Sequence, residues 1–496
     1  MKRLLLLLIV TFFFGNANAQ RYLSPVFDEV DVATDVVYGV NATVILLQQV
    51  GEAVPQPLTM DVYTPKGDTE TNRPLVVLLH TGNFVPPSFN GGYTGTKADA
   101  DNVAIATRLA KMGYVVANIE YRLGWNPIAP DQLTRVFTLI NAVYRGLQDT
   151  KTCARFFRRT EDNGNPYGID PGKIISWGLG TGGYLSLANA TLDSVEQTWI
   201  PKFLTPFGPM VSAGVNGNIE ATSVGIVPPG YPGFPAGDTL CYPNHVGYSS
   251  EFSLAVHMGG SLGDTSWIDA TDNPIISFQV PTDPFAPCGV GEVIVPPPLN
   301  LPVVEVMGAC ASQPIINREG LNDCMKDASR TDDVTQRALA LNGGLEGFYP
   351  FLLDDPLEGA PWQFASSLEP YGIAGSDCDT NRAESMLYID TIMMYFAPRA
   401  AQCLGLPTSV KDVISAVETG LTTTPNPAID QILVETNEDF IIRDAFVYSV
   451  SGELVNATYG INNNQWYLNR GFLKSGMYVI QLRFDQGSAV QKVIFE

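Results

Sequence analysis

Histidine is nearly missing from this chain, with three in 496 residues, and none of the seven cysteines (153, 241, 288, 310, 324, 378 and 403) forms a C-x-x-C pair. Zinc sites are built from clustered His and Cys, so neither a metal site nor a cofactor is expected. Positive charge is also short: 29 Lys and Arg stand against 51 Asp and Glu, a formal net charge of −22. A chain of that sign repels nucleic acid and anionic lipid, which argues against a phosphate-binding role. No apolar run of spanning length follows the amino terminus, so no transmembrane segment is expected.

The amino terminus is itself informative. Lys2 and Arg3 precede an apolar run from Leu4 to Phe14, and Ala17-Asn18-Ala19 gives a small-x-small pattern before Gln20. That layout predicts a secretory signal peptide over residues 1–19, cut between Ala19 and Gln20. Export permits disulfides, and the odd cysteine count leaves at least one thiol free or intermolecular. Pairing cannot be read from spacing alone.

Residues 73 to 195 alternate short apolar strands with longer amphipathic helices. Pro74 to Leu79 is a continuous apolar run, as expected of a parallel strand buried on both faces. Val103 to Met112 has helical spacing and stops at Gly113; Tyr114 to Ile119 is the next strand, and Leu133 to Phe157 a long helix. The pattern predicts an α/β fold with an open, mostly parallel sheet and helices on both faces. Residues 201–250 change to Pro, Gly and aromatics and read as a folded insertion, placed as a lid over the sheet's carboxyl edge. Tyr231, Phe234 and Tyr242 there either line a pocket or simply pack. Strands are expected at Asn273 to Val280 and Pro302 to Met307, and a closing helix over Asn381 to Ala400. A linker at residues 422–427 then separates the main domain, 20–421, from a small β-sandwich at 428–496.

The segment Lys173-Ile174-Ile175-Ser176-Trp177-Gly178-Leu179-Gly180-Thr181-Gly182-Gly183 runs from a buried strand through a glycine-rich turn into a helix. It is similar to the G-x-S-x-G nucleophile elbow, with glycine at the serine's position. Leu79-His80-Thr81-Gly82 is similar to an HGGG oxyanion loop, with threonine for its first glycine. Gly113-Tyr114-Val115-Val116 and Glu120-Tyr121-Arg122-Leu123 look like a "GYVV…YRL" strand and turn. Together these segments resemble secreted carboxylesterases and feruloyl-esterase-like enzymes of the α/β-hydrolase family, over roughly residues 58 to 406.

That resemblance implies Ser, acid and His in chain order. Gly180 leaves the first place empty, Asp283 in the loop after the strand at Ile275 matches the acid, and Gln313 stands in the histidine's place. His80 belongs to the oxyanion loop, while His245 and His257 precede Asp283 and have the wrong order. Thr81, Gly82 and the Thr181 amide are the expected oxyanion-like ligand contacts. Thr181 as a nucleophile lacks a base to activate it.

The carboxyl-terminal stretch carries Pro425-Asn426-Pro427-Ala428, then Val447 to Val455, then Leu473-Lys474-Ser475-Gly476-Met477-Tyr478, then Gln491 to Ile494. These four motifs resemble the type A sorting domain of proteins exported by the type IX secretion system. The resemblance implies that secretion machinery as partner, a Gram-negative bacterium of the Bacteroidota as source, and release or cell-surface attachment. Three functions then compete: a non-catalytic hydrolase-fold protein that binds a ligand or partner, an ester hydrolase with a non-standard nucleophile, and a surface scaffold or adhesin.

Overall fold

The structure is a computed structural model that describes residues 21–90, 94–295, 299–365, 381–407, 416–449, 454–484 and 488–496. The expected signal peptide with Ala19 and Gln20, and Cys378, lie outside the described residues. One compact unit is Tyr22–Leu406; Pro407–Glu496 falls in a second. No helix among the described residues is long and apolar enough to cross a membrane.

The first unit is built on an eight-stranded sheet: β1 (Val30–Thr43), β2 (Val54–Pro65), β3 (Arg73–Leu79), β4 (Val115–Ile119), β5 (Ile169–Leu179), β6 (Leu254–Met258), β7 (Ile275–Gln279) and β8 (Phe348–Pro350). Their spatial order is β1-β2-β4-β3-β5-β6-β7-β8. The first two strands pair antiparallel with their neighbours and the remaining six run parallel. Every residue of β3 is buried. Its side chains alternate between two cores: Leu75, Val77 and Leu79 belong to one cluster and Val76 and Leu78 to the other, as the twofold period of a strand requires. Helices α1 (Ala100–Lys111) and α6 (Arg382–Cys403) fill the second core, while α2 (Gln132–Asp162) and α3 (Thr181–Thr191) fill the first. This is an α/β-hydrolase sheet with helices on both faces.

Helix α2 is buried far beyond one face, including Gln148, Asp149, Lys151 and Arg155. The insertion explains this. Asn141 Nδ2 donates to Met210 O at 3.0 Å, Tyr144 Oη to Gly217 O at 2.9 Å, and Arg158 Nη1 to Ser249 O at 2.8 Å. Residues 201–250 therefore line the outer side of α2 instead of forming a lid over the carboxyl edge. Tyr231 packs on Phe137 of that helix, with ring centroids 5.9 Å apart, and donates to Met210 O. Phe234 and Tyr242 also pack against core clusters. The YRL motif has a structural task here. Arg122 and Asp149 form a fully buried pair at 2.9 Å, and Arg122 Nη1 also donates to Ala42 O and Leu240 O, joining sheet, helix and insertion. Such a pair stands only because every polar group in it finds a partner.

The strand at Pro302–Met307 forms as expected but leaves the main sheet, pairing antiparallel with Val290–Ile294. Two helices flank the stretch that follows, α4 (Ala309–Arg318) and α5 (Asp333–Asn342). Cys288–Cys310 and Cys324–Cys403 are disulfide-bonded, and Cys153 and Cys241 are buried free thiols.

In the second unit, β9 (Thr422–Thr424), β10 (Gln431–Glu435) and β13 (Gln465–Asn469) form one antiparallel sheet. The other contains β11 (Ile442–Ser449), β12 (Leu454–Asn463), β14 (Gly476–Arg483) and β15 (Ser488–Phe495). Ile432, Val434 and Leu468 from the first sheet share one core with Val447, Ile480 and Val493 from the second. Residues 422–424 are thus a paired strand and not free linker, and Asn426 is held by Lys492 O at 2.9 Å.

Candidate functional site

Strand β5 ends at Leu179 and α3 begins at Thr181, with Gly180 between them at φ 50°, ψ −115°. A side chain is strained in that conformation, a strain that serine hydrolases accept to expose their nucleophile. The backbones around it are in contact. A Cβ on Gly178 would lie 1.9 Å from Gly182 O, and one on Gly182 would lie 2.4 Å from Leu79 O. The glycine pattern is the requirement of a strand, a turn and a helix start packed this tightly.

Above the turn, Thr81 takes the room that a nucleophile needs. A Cβ on Gly180 would lie 2.1 Å from Thr81 Oγ1 and 2.8 Å from its Cβ. The Thr181 amide donates to that same hydroxyl at 3.4 Å. In an esterase this amide faces the oxyanion; here a side chain of the chain itself stands in front of it. Thr181 Oγ1 lies 3.4 Å from the Tyr121 hydroxyl, which donates to His80 O at 2.8 Å. Gly82 at φ 120° is pressed against Gly95, whose Cα would sit 2.4 Å from an added Cβ. Of the expected oxyanion contacts, Thr81 and the Thr181 amide meet, and they satisfy each other.

His80 is fully buried, stacked on Tyr121 with centroids 4.4 Å apart. Its Nδ1 faces Thr81 O, and its Nε2 lies 3.3 Å from Glu120 Oε2 in an ion-pair contact short of hydrogen-bond alignment. Burial pulls its pKa down, but Glu120, with help from Asp99 and the Thr81 carbonyl, outweighs burial and raises it. With Nδ1–H given to the carbonyl, a neutral ring would turn a bare nitrogen toward a carboxylate, so protonation is favoured. His80 clamps the loop that carries Thr81. The other two histidines are also structural. His245 Nε2 contacts Tyr38 O at 2.7 Å; His257 Nε2 contacts Ser277 Oγ at 2.6 Å, and burial drives its pKa to about 3.

Asp283 follows β7. Its Oδ1 accepts from the Phe285 and Ala286 amides at 2.7 and 2.9 Å. Burial raises its pKa to about 7 against the pull of those amides. A Cβ on Gly359 would lie 2.6 Å from the same oxygen. Gly359 belongs to the segment after β8, the last strand of the sheet, where the chain order of a triad calls for histidine. Residues 351–365 contain none.

Gln313 does not occupy that place. It lies inside α4, fully buried, and its Nε2 donates to Ser277 Oγ at 2.8 Å, Ile275 O at 3.0 Å and Gly347 O at 3.3 Å. Ile275 opens β7 and Gly347 precedes β8, so Gln313 serves the amino halves of these strands. Asp283 lies beyond the opposite end of β7, a run of about 13 Å at the usual rise per residue. The expectation failed because Pro302–Met307 is a hairpin strand and the closing strand of the sheet is the three-residue Phe348–Pro350. Gly359 was therefore missed; its only signal is its position after that short strand.

Among the described residues, Asp193, Asp269 and Asp272 bring carboxylate oxygens within 4.8 Å of one another. Burial, with Asp269 and Asp193 nearby, raises Asp272 to about 7. Nothing else at that place points to an ion.

Sheet order, elbow turn and oxyanion loop define the class as an α/β-hydrolase fold with esterase-like architecture. Residues 60–219 match the BD-FAE family, and residues 424–496 match the secretion system C-terminal sorting domain. The chain therefore joins an esterase-like hydrolase domain to a type IX sorting domain, which directs export to the cell surface or the medium. Among solved structures, it is similar to an esterase of the Planctomycetes species Thermogutta terrifontis, at 14% identity over 76% of this chain and 93% of that one, TM-score 0.34. It is also similar to a truncated carbohydrate esterase from gut microbiota, at 18% identity over 53% and 82% of the two chains, TM-score 0.28. No curated protein matches the sequence.

Proposed function

We propose that this is an exported α/β-hydrolase-fold protein without ester-hydrolase activity, delivered after removal of residues 1–19. One observation carries the reading: Thr81 stands where a nucleophile on residue 180 would have to be, and its hydroxyl takes the amide hydrogen of Thr181. The absence of histidine from residues 351–365 beside Asp283 supports it independently. Triad chemistry needs an alkoxide, and neither Gly180 nor an unassisted Thr81 hydroxyl supplies one. A filled space above Gly180 also favours a scaffold role over ligand capture at this turn.

The purified mature protein should give no turnover of short acyl esters or of methyl ferulate above the buffer rate. Robust turnover abolished by a fluorophosphonate would overturn the reading. Export is tested separately: a chain lacking residues 424–496 should stay in the periplasm, and normal surface delivery of it would refute the sorting role.

A further inference from the structure

A cavity of about 590 Å³ opens in the first unit beside the oxyanion loop; Glu120 and Tyr121 line it, and its lining includes none of Gly180, Thr81 or Asp283. Its walls are apolar and stiff. Ile45, Leu46 and Leu123 share the lining with Pro55, Pro57, Pro86 and Pro87, and proline fixes its own backbone angle, so a wall of this kind holds its shape. Glu120 is the one charged residue of the lining. It sits just past the end of β4, where its backbone N–H donates to Thr59 O at 2.9 Å, so its position is set by the sheet.

The carboxylate is held in place while part of its side chain stays exposed. Oε1 accepts the Lys97 amide at 2.9 Å, Oε2 lies 3.3 Å from His80, and 27% of the side chain remains exposed. Burial would raise its pKa, but His80 and the Lys97 amide outweigh burial and lower it, which keeps it ionised. A volume of this size, with a mostly apolar wall and a single charged group, has the build of a small-molecule site. The charge sets the class of ligand. An anion meets Glu120 and a chain of formal charge −22, whereas a cation is drawn by both.

We propose that this cavity binds a small organic ammonium compound, its aliphatic or aromatic body against the proline wall and its N–H groups on the Glu120 carboxylate. The cavity adjoins the filled turn through Tyr121 but uses none of Gly180, Thr81 or Asp283, so it gives the fold a binding role that needs no triad.

Titration of the full mature protein with phenethylammonium, followed by methyl NMR, tests this. Saturable shifts of Ile45, Leu46 and Leu123 methyls at Kd below about 1 mM are expected. Glu120→Gln should weaken binding about tenfold, the loss of one charge-assisted contact. Leu46→Trp, at a residue 44% exposed and so free to change without unfolding, should abolish binding by filling the cavity. Equal affinity for 3-phenylpropionate, unchanged affinity in folded Glu120→Gln, or retained binding in Leu46→Trp would each overturn the proposal. So would no saturable binding by the wild type. Ester turnover measured on the same preparation keeps the two readings apart: turnover with ammonium binding sinks only the non-catalytic reading, and neither activity sinks only this one.

Discussion

The two corners of the sheet's carboxyl edge depart from an esterase's triad in different ways. At the corner of β3 and β5, glycine at 180 and threonine at 81 are complementary: residue 180 has no side chain, Thr81 fills the room one would need, and its hydroxyl accepts the Thr181 amide. At the corner of β7 and β8 there is a carboxyl. Asp283 still accepts its two backbone amides, but Gly359 packs against it where an imidazole would orient. The first corner is a packed plug. The second holds a half-buried carboxyl with no cation beside it among the described residues, an environment that disfavours its charge.

The largest effect should come from breaking the plug. Gly180→Ser forces a side chain into positive φ and into Thr81, and should destabilise the protein by about 3 kcal/mol. In a Thr81→Gly background the collision is gone and only the strain remains, so at least ~1 kcal/mol of the cost should disappear. A denaturant double-mutant cycle measures this. Strict additivity would show that Thr81 does not occupy the serine's room.

The next effect separates the acid corner from α4. Gln313→His removes a donor shared by Ile275 O and Ser277 Oγ and should cost about 2 kcal/mol through buried groups left unpaired. Combined with Gly180→Ser it should give no ester hydrolysis, because the new ring lies along the amino half of β7. Burst release of p-nitrophenol by that double variant would restore Gln313 to the site.

How far this was legible follows the physics of each segment. Continuous apolar β3 and the glycine turn declare themselves because burial on both faces and backbone contact restrict residue choice so strongly. The loop that carries Asp283 was legible as the turn after the strand at Ile275. β8 was not, since Phe-Tyr-Pro is too short for periodicity and ends in a residue rarely found inside sheets. β6 hides a histidine in its middle, satisfied only by Ser277 from the neighbouring strand and by the Gly260 amide. The plug was half legible: threonine for the loop's first glycine was visible, but that it fills the room beside glycine at 180 is a contact between residues 99 apart in the chain, which no local pattern reaches.

The smallest effect is the most discriminating for the acid corner, and its sign follows from linkage. Burial raises Asp283 in the folded protein to about 7 from an ordinary 3.8. Between those values the native state holds a proton that the unfolded chain has released, so this group's contribution makes stability fall as pH rises through the window. Asp283 is partly exposed, so the loss should be about 1 kcal/mol and well below full conversion of the shift. Asp283→Asn keeps the Oδ1 acceptor for Phe285 and Ala286 and removes the titration. The variant should therefore match the wild type near pH 4 and exceed it by that amount above pH 7, with a flatter profile between. Thermal melts from pH 4 to 8 measure it. A variant less stable than the wild type at pH 8 would mean that the ionised carboxylate has a partner holding it, and that this corner, too, is packed as a satisfied unit.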